Sequence, residues 1–507
     1  MQKRALVFTI LCSFLSAFSQ KSTDERLLNL DTEIQELLET YHTAGLSVAV
    51  VENGKTIYVK GFGYRDIERQ LPVDENTVFG IGSVSKAFIA SLLGMLETDG
   101  ELSLTDRPRE YIPELKFQNS TMDESIQIRN LLCHNTGLSI VETESSCALF
   151  ASQEINDLVP RLAHLVPAAN VGERFLYCNA MYTLAAIVSE RVTGKTWQKQ
   201  LEEKIFQPLG MTNTYPSYQA ATKNENLSKG YAVLENRPKL VPPEELPTRA
   251  PSGDIFSSAN DMVKWLKLWM NEGRKDSVQI LSESYITQAT GAQQIMGGAP
   301  QESNSSQAQF VNYGYGWMSR DLQGYYKVEH SGGVSGYGSN VAFFPTENIG
   351  IVVLTNQFLS SLAFNVTNRI EDRLLNIKRL TQDSVETRFG TFIPIAPTPD
   401  TVQMNQEQQP THPLENFVGR YQHDGFGEVT VSLEKGNLYA QLPFTKLRLG
   451  HRHYNVFNSN YIEEVPLVMT SSWLQFNFVS SFQGVIDGLE INIGEEESIT
   501  FERINND

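Results

Sequence analysis

A serine and a lysine three residues apart are the first pair in this chain that could carry out chemistry. They are Ser83 and Lys86, within the stretch GIGSVSKAFIASLL at residues 80–93. Positions three apart on a helix share a face, so the lysine amine can reach the serine hydroxyl. A serine becomes a nucleophile when a neighbour takes its proton, and a desolvated lysine can do so. Ser-x-x-Lys is also a common pattern, and a capping serine beside a solvated lysine explains it equally well.

A tyrosine and an asparagine form a second motif, just before a predicted helix. They are Tyr177 and Asn179 in GERFLYCNAMYTLAAIVSERVTG, residues 172–194. A tyrosine at this position can relay a proton, and an asparagine amide can orient a substrate carbonyl. The alternative for Tyr177 is ordinary core packing.

A histidine and a run of glycines form a third motif, at the end of a predicted strand. VEHSGGVSGYGSNVAFFP, residues 328–345, contains His330, Ser331, Gly332 and Gly333. Glycines let a substrate approach the backbone closely, and an exposed N–H can stabilise an oxyanion. His330 could instead be a surface histidine, and His423-Asp424-Gly425 fits the same His-x-Gly pattern. The order of the three motifs, each beside the expected secondary structure, is hard to obtain by chance.

Hydrophobic periodicity predicts the elements that must position these residues. Apolar residues at helical spacing predict helices over 26–41, over 84–98 as an amphipathic helix, over 180–193 ending at Gly194, and after a capping Ser258. Asn53-Gly54 between two apolar runs predicts a β-hairpin. Strands are predicted over 325–329, 340–344 and 349–354, with antiparallel pairing of the last two.

Composition divides the chain into four segments. Residues 1–19 have two cations, a short apolar run and a small-x-small end, which predicts a signal peptide rather than a membrane span. Residues 20–380 form the predicted hydrolase domain, and 381–413, rich in Pro, Gln and Thr, a linker. Short alternating runs in 414–507 predict a small all-β barrel or sandwich. A soluble, secreted, extracellular protein is therefore expected.

The net charge of −18 over 507 residues argues against nucleic acids and anionic membranes as partners, because both repel an acidic surface. The eight histidines show no metal-ligand spacing and no Gly-rich phosphate loop is present, so no metal or other cofactor is expected. Export makes two kinds of modification relevant. Cys133 and Cys147 are the local disulfide candidates, although sequence does not fix the pairing. N-x-Ser/Thr sequons at Asn119, Asn226, Asn304 and Asn365 are candidate surface glycosylation sites, each also explicable by chance.

The three motifs and the phrases LLCHNTGL (131–138), PLGMTNT (208–214) and PSGDIFSSANDMVKWL (251–266) resemble a known family. From about residue 30 to 375 the chain resembles the class C β-lactamase and penicillin-binding-protein-like serine hydrolases. The resemblance implies an α+β fold, in which helices flank an antiparallel sheet beside a helical subdomain, with a small lipocalin-like β domain at the C-terminus. Acidic extracellular relatives from mollusc shell matrix, the gigasins, are one candidate group of close relatives.

The resemblance also assigns roles to individual residues. It implies that Ser83 is the acylated nucleophile, Lys86 its general base, Tyr177 a base or proton relay, and Asn179 the carbonyl-orienting residue. It places the strand motif on His330-Ser331-Gly332 and the oxyanion hole on the N–H groups of Ser83 and Gly333. His330 replaces a lysine of true β-lactamases, and an unperturbed histidine is mostly neutral at pH 7. Weak recognition of substrate carboxylates is therefore expected, as in esterases and peptidases of the superfamily.

Two functions remain open at this point. The first is a secreted hydrolase that cleaves a small-molecule or peptide ester or amide through an acyl-enzyme on Ser83. The second is an extracellular matrix protein that keeps the fold with little or no turnover. The acidic charge and the appended β domain suit both functions, and the three motifs together favour the first.

Overall fold

The computed structural model describes residues 24–138, 154–234, 236–242, 249–298, 310–358, 360–378, 408–443, 446–460, 474–492 and 498–504. Within these ranges the chain forms an α+β domain followed by a closed β-barrel. The predicted signal peptide and most of the predicted linker lie outside the described residues. No helix among the described residues is long and apolar enough to span a bilayer.

An antiparallel sheet forms the centre of the first domain. The strands of this domain, including three two-stranded ribbons beside the sheet, are β1 Gly45–Glu52, β2 Lys55–Asp66, β3 Leu71–Pro72, β4 Val78–Gly80, β5 Gly230–Leu234, β6 Arg237–Val241, β7 Phe256–Ser258, β8 Arg274–Lys275, β9 Val278–Gln279, β10 Gln294–Gly298, β11 Phe310–Tyr313, β12 Met318–Leu322, β13 Tyr325–Val334, β14 Tyr337–Phe344 and β15 Ile349–Thr355. Within the described residues the sheet has nine strands in the order β10-β11-β12-β13-β14-β15-β1-β2-β3.

Helices cover both faces of this sheet. They are α1 Leu30–Thr40, α2 Ser85–Thr98, α3 Ser120–Ser125, α4 Ile128–Leu132, α5 Leu158–Arg161, α6 Asn179–Thr193, α7 Trp197–Leu201, α8 Gln207–Leu209, α9 Tyr218–Ala221, α10 Ala250–Gly253, α11 Ala259–Met270, α12 Glu283–Thr290 and α13 Leu362–Leu375. Strand β1 shows how the faces divide, because Val48 and Val50 join the apolar cluster under α1 and α13. Ala49 and Val51 join the larger cluster on the opposite face, as the period of two along a strand requires.

Several predicted elements are confirmed. The Asn53-Gly54 hairpin joins β1 to β2, α6 ends at Gly194 with φ 66°, and Ser258 Oγ accepts a hydrogen bond from the Asp261 N–H at 3.3 Å. The predicted helix 26–41 is shorter, because Asn29 adopts φ 64° and separates a 3-10 helix, Glu25–Leu27, from α1. Helix α2 is not amphipathic as predicted, since its residues from Ser85 to Leu96 are all buried. It is a central helix packed on every side, which explains why its polar residues face protein rather than water.

The C-terminal part of the chain is a closed eight-stranded barrel of antiparallel strands. Its strands are β16 Gly419–His423, β17 Gly427–Glu434, β18 Asn437–Gln441, β19 Lys446–His453, β20 Val456–Asn460, β21 Gln475–Ser480, β22 Ile486–Asn492 and β23 Ser498–Ile504. Pairing of β23 with β16 closes the barrel, which removes both sheet edges. The alternating residues Val429 and Val431 on β17, and Leu438 and Ala440 on β18, are buried, whereas Leu433 is partly buried. Phe417, Tyr421 and Phe478 contact one another in the same interior.

The barrel contacts the first domain through the turn between β16 and β17. A Cβ added to Gly425 would lie 3.2 Å from His164 Cβ and 3.3 Å from Leu165 Cδ2. Asp424 is 3.7 Å from the His164 imidazole. The barrel therefore packs on the short helical segment that follows α5.

The predicted modification sites have different outcomes. Cys133 is a buried free thiol, and burial raises its pKa to about 12. The disulfide with Cys147 stays a prediction. Cys147 and the sequon at Asn304 lie outside the described residues. Asn119 is exposed, as a glycosylation site requires. Asn226 and Asn365 are only partly exposed, contrary to expectation, because their amide nitrogens donate to Asp74 and Tyr41 within the fold.

Candidate active site

Ser83 lies in a 3-10 helix, Gly82–Val84, that leads directly into α2. The preceding Gly82 has φ 53°, a conformation that residues with a side chain rarely adopt. This turn leaves Ser83 half-buried, whereas the residues on both sides of it are fully buried. The local backbone therefore presents Ser83 Oγ at the surface of an otherwise buried helix start.

Lys86 lies one turn further along and is fully buried. Its amine donates hydrogen bonds to Ser83 Oγ at 3.0 Å and to the Ser252 carbonyl oxygen at 3.0 Å. The same nitrogen is 4.7 Å from the centre of the Tyr177 ring and 5.5 Å from that of Tyr182. The predicted Ser-x-x-Lys pair is thus in contact, and the lysine is held by α10 and by aromatic rings rather than solvated.

Tyr177 approaches the serine from the segment before α6. Its hydroxyl donates to Ser83 Oγ at 2.9 Å, so the serine oxygen accepts from both Lys86 and Tyr177. Asn179, the third member of this motif, is the first residue of α6 and is half-buried. Cys178, between them, is fully buried.

His330 lies on β13 and is buried, which overturns its interpretation as a surface histidine. Its Nδ1 contacts the Ser331 carbonyl oxygen at 2.6 Å and its Nε2 contacts the Tyr313 hydroxyl at 2.8 Å. Since a carbonyl can only accept, Nδ1 carries the proton and Nε2 accepts from Tyr313. Burial, and then the nearby Lys86, lower the pKa of His330 to about 3. The histidine is therefore neutral at physiological pH, as the sequence predicts. Its pKa lies further below pH 7 than that of an unperturbed imidazole.

The glycines of the third motif bring β13 against the nucleophile. A Cβ on Gly332 would lie 1.9 Å from the Ile81 carbonyl oxygen, and one on Gly82 would lie 2.4 Å from the Gly333 nitrogen. Only glycines permit this contact between the strand and the turn before Ser83. The Gly333 N–H is thus beside the turn that carries Ser83, where an oxyanion-hole donor would stand.

Among the described residues, no strand pairs with one edge of β13 beyond Glu329. Strand β12 pairs with β13 only as far as Glu329, whereas β14 pairs along it to Val334. Ser331 and Gly333 are exposed. A substrate with a peptide-like backbone could therefore lie along this edge.

The sequence motifs miss several residues around the site. Tyr182, Tyr313 and His134 are fully buried beside the catalytic groups, and the Ser252 carbonyl binds Lys86. His134 is in the phrase LLCHNTGL that carried the family resemblance, and this was the available signal. His423, by contrast, belongs to the barrel, and its Nδ1 accepts the N–H groups of Gly425 and Phe426 in a turn.

Comparison with known proteins assigns the first domain to a family. A family model described as Beta-lactamase matches residues 30–374. The chain belongs to the beta-lactamase family. This is a fold family of serine hydrolases, so the predicted fold class and the predicted enzyme class are confirmed. A second model, described as a domain of unknown function (DUF3471), matches residues 403–507, which include the barrel.

Individual relatives are distant. Protein flp of Staphylococcus aureus (strain NCTC 8325 / PS 47) is 26% identical over 358 residues, covering 70% of this chain and 68% of that protein. Unguisins hydrolase ungD of Aspergillus violaceofuscus is 27% identical over 458 residues, covering 81% of this chain and 78% of that protein. The structure of the octameric penicillin-binding protein homologue from Pyrococcus abyssi matches with a TM-score of 0.58 and 22% identity. The match covers 94% of this chain and 99% of the Pyrococcus abyssi chain, so the similarity in fold extends into the barrel.

Proposed function

We propose that this chain is a secreted hydrolase, of esterase or peptidase type, that cleaves uncharged ester or amide substrates through an acyl-enzyme on Ser83. The observation that carries the proposal is the placement of Lys86 and Tyr177, both within 3.0 Å of Ser83 Oγ. A serine activated by neighbouring groups that can take its proton is the arrangement that nucleophilic catalysis requires. The relative named as a hydrolase supports turnover rather than a purely structural role.

The proposed reaction has two halves. Ser83 Oγ attacks the substrate carbonyl carbon while its proton passes to the Lys86–Tyr177 pair, and the N–H groups of Ser83 and Gly333 stabilise the oxyanion. The carbon–oxygen or carbon–nitrogen bond to the leaving group breaks, and the leaving group takes the proton. A water molecule then attacks the acyl-enzyme, which releases the acid and returns the proton to Ser83.

The preference for uncharged acyl groups follows from His330. This residue occupies the position where the family resemblance implies a cation, yet its burial and the neighbouring Lys86 keep it neutral. A neutral imidazole whose two nitrogens already bind Ser331 and Tyr313 offers no charge to a substrate carboxylate. Penicillin-like substrates, which carry a carboxylate, should therefore be poor ones.

A matched pair of esters tests this preference. 4-Nitrophenyl butyrate and 4-nitrophenyl hemisuccinate have acyl chains of the same length, but only the hemisuccinate carries a carboxylate. We expect kcat/KM to favour the butyrate by at least about tenfold, which corresponds to about 1.4 kcal/mol. His330→Lys should shift the ratio towards the hemisuccinate, and His423→Gln, which alters the unrelated His-x-Gly motif, should leave it unchanged. Equal rates on both esters would contradict the proposed preference.

Labelling with a fluorophosphonate tests the nucleophile itself. The peptide that contains Ser83 should gain the mass of the phosphonyl group, and Ser83→Ala should gain none. If folded wild-type protein shows no adduct, the hydrolase proposal is wrong and the extracellular matrix alternative is favoured. Secretion is tested separately, because the N-terminus of the protein recovered from the medium should begin after Ser19.

A further inference from the structure

His134 is a buried histidine that the proposed reaction does not use. It follows α4 with φ 58° and is fully buried. A positive φ is uncommon for a residue with a side chain, and it occurs where the surrounding structure demands it. Neither hydrogen bond to Ser83 Oγ comes from His134, since these come from Lys86 and Tyr177.

His134 accepts two hydrogen bonds from the backbone on either side of Tyr177. The His134 carbonyl oxygen accepts the Leu176 N–H at 2.7 Å. The His134 imidazole accepts the Cys178 N–H on Nδ1 at 3.1 Å. The N–H groups of the residues before and after Tyr177 are therefore both fixed to His134, which lies more than 40 residues earlier in the chain.

The imidazole also packs against the tyrosine ring. The two ring centres are 4.2 Å apart, with 33° between the ring planes. Phe175 and Tyr313 contact the same imidazole at 5.6 and 4.9 Å. Both the backbone and the side-chain direction of Tyr177 thus depend on this residue.

The protonation state of His134 fits this role. Burial, with additional contributions from Lys86 and His330, holds its pKa well below the usual value, so the ring is neutral. Since Nδ1 accepts from Cys178, the proton is on Nε2, which has no hydrogen-bond partner within the part of the chain that the structure describes. A buried N–H without a partner is costly, and an apolar side chain would avoid that cost. Nδ1 supplies the acceptor that an apolar side chain would lack.

We propose that His134 is a positioning residue that holds the Tyr177 hydroxyl against Ser83 Oγ for proton transfer. The proposal rests on the hydrolase function above, and it concerns the geometry of the 176–178 segment rather than any contact between His134 and substrate. Displacements of about 1 Å at a proton-transfer site can lower rates by about 100-fold.

The test measures how fast Ser83 reacts with the fluorophosphonate and with 4-nitrophenyl butyrate. His134→Ala should lower the limiting rate by about 10- to 100-fold while KM changes by less than about threefold, because the substrate does not touch His134. His134→Asn should recover most of the rate, since its amide oxygen can accept from Cys178 and asparagine tolerates positive φ. Cys133→Ala, a buried change next to His134, should lower Tm without changing the rate.

A double-mutant cycle separates positioning from general damage. In a Tyr177→Phe background the hydroxyl is absent, so His134→Ala should lower the rate by less than about twofold further. The same 10- to 100-fold loss in both backgrounds would overturn the proposal, as would equal losses for His134→Ala and His134→Asn. If His134→Ala does not fold, His134→Gln, which fills the site but moves the amide beyond Cys178, replaces it. Absence of any labelling in the wild type would instead be a failure of the hydrolase proposal.

Discussion

Lys86 lies where the proposed general base of Ser83 is required. It is fully buried, and its hydrogen bonds go to a serine oxygen and a main-chain carbonyl. Burial makes the amine costly to accommodate, whereas its position 3.0 Å from Ser83 Oγ lets it take the proton that a serine nucleophile must lose. Stability and activity should therefore respond in opposite directions when the amine is removed.

The first prediction concerns Lys86→Met, which keeps an unbranched chain of similar length but removes the amine. Labelling of Ser83 should slow by about 100- to 10,000-fold, the usual contribution of a general base. Tm should stay the same or rise, because a well-packed apolar group of similar length avoids the cost of burying the polar amine. Stopped-flow labelling and thermal denaturation measure the two effects. A variant that labels at the wild-type rate would contradict the role of Lys86.

The second prediction concerns the pH dependence contributed by His330. Its pKa is about 3 in the folded protein, below the ordinary 6.5, so only the unfolded chain takes up a proton between these values. The stabilising effect is complete above pH 6.5 and is lost as pH falls towards 3, by about 1.4 kcal/mol per pH unit. His330→Gln keeps an acceptor for Tyr313 and does not titrate. Between pH 7 and pH 4.5, the free energy of unfolding measured in urea should fall by about 2–3 kcal/mol less in this variant than in the wild type. Equal losses would mean that His330 is protonated in the fold.

At the scale of single residues, the sequence predicts which residues belong to the candidate site better than it predicts their burial and their hydrogen-bond partners. Order and spacing were sufficient to select Ser83, Lys86 and Tyr177, which the structure brings into contact. The buried His330 is hydrogen-bonded to Tyr313, which belongs to a strand without a sequence motif. His134 was missed for the same reason, since its partners are the backbone of a distant segment.

At the scale of elements, the active site depends on the contact between β13 and the turn before α2. This contact is made by main chain, with Gly332 against Ile81 and Gly82 against Gly333. Backbone packed this closely fixes the Gly333 N–H, the proposed oxyanion donor, beside the turn that carries Ser83 without any side chain. A single methyl group should therefore disturb catalysis as well as stability.

The third prediction compares two glycines that both have positive φ. Gly82 has φ 53° and a Cβ there would be 2.4 Å from Gly333, whereas Gly100 has φ 76° and nothing within 4 Å. Gly100→Ala should cost about 1 kcal/mol, the strain of the backbone alone. Gly82→Ala should cost about 3–5 kcal/mol because overpacking is added. Chemical denaturation measures both. Similar costs for the two variants would show that the turn can move away from β13.

Residual folded Gly82→Ala protein provides a separate readout. Its Ser83 labelling should be slower than that of Gly100→Ala by at least about 100-fold, the usual effect of losing one oxyanion donor. Wild-type labelling by Gly82→Ala would contradict the placement of the oxyanion hole.

Elements with strong hydrophobic periodicity could be predicted from the sequence, but the elements that pack against them could not. The hairpin of β1 and β2 and the helix α6 follow from local residues. The burial of α2 on all sides does not, because the neighbours that cover it come from distant parts of the chain, as in the stacking of Trp265 on Phe88. Long-range packing of this kind is invisible to a local periodicity of 3.6 residues.

At the scale of the whole molecule, the barrel is the feature that remains separate from the proposed chemistry. Each of its strands pairs within the barrel, and its interior is filled by side chains. The alternating apolar runs predicted a small β barrel or sandwich, and the structure shows that the strands close into a barrel. The contact between residues 423–427 and 161–165 could not be predicted, since these segments are about 260 residues apart in sequence and carry no complementary motif.

The fourth prediction concerns Gly425, where the barrel approaches the first domain. A Cβ there would lie within 3.3 Å of His164 and Leu165, so Gly425→Leu should push the two parts of the molecule apart. Small-angle scattering should show a larger radius of gyration, and proteolysis should cut between residues 378 and 408 faster. Ser83 labelling should change by less than about twofold, because the hydrogen bonds to Ser83 Oγ come from Lys86 and Tyr177 in the first domain.

Gly436→Asn is the control for this experiment, since Gly436 is in a barrel turn with φ 79° and nothing within 4 Å, and asparagine tolerates that conformation. It should leave scattering, proteolysis and labelling unchanged. A large loss of labelling in Gly425→Leu, with both parts still folded, would mean that contact with the barrel reaches the active site. The path would then run through residues 161–165, which precede the segment that carries Tyr177. That result would make the barrel part of the hydrolase rather than an appended domain.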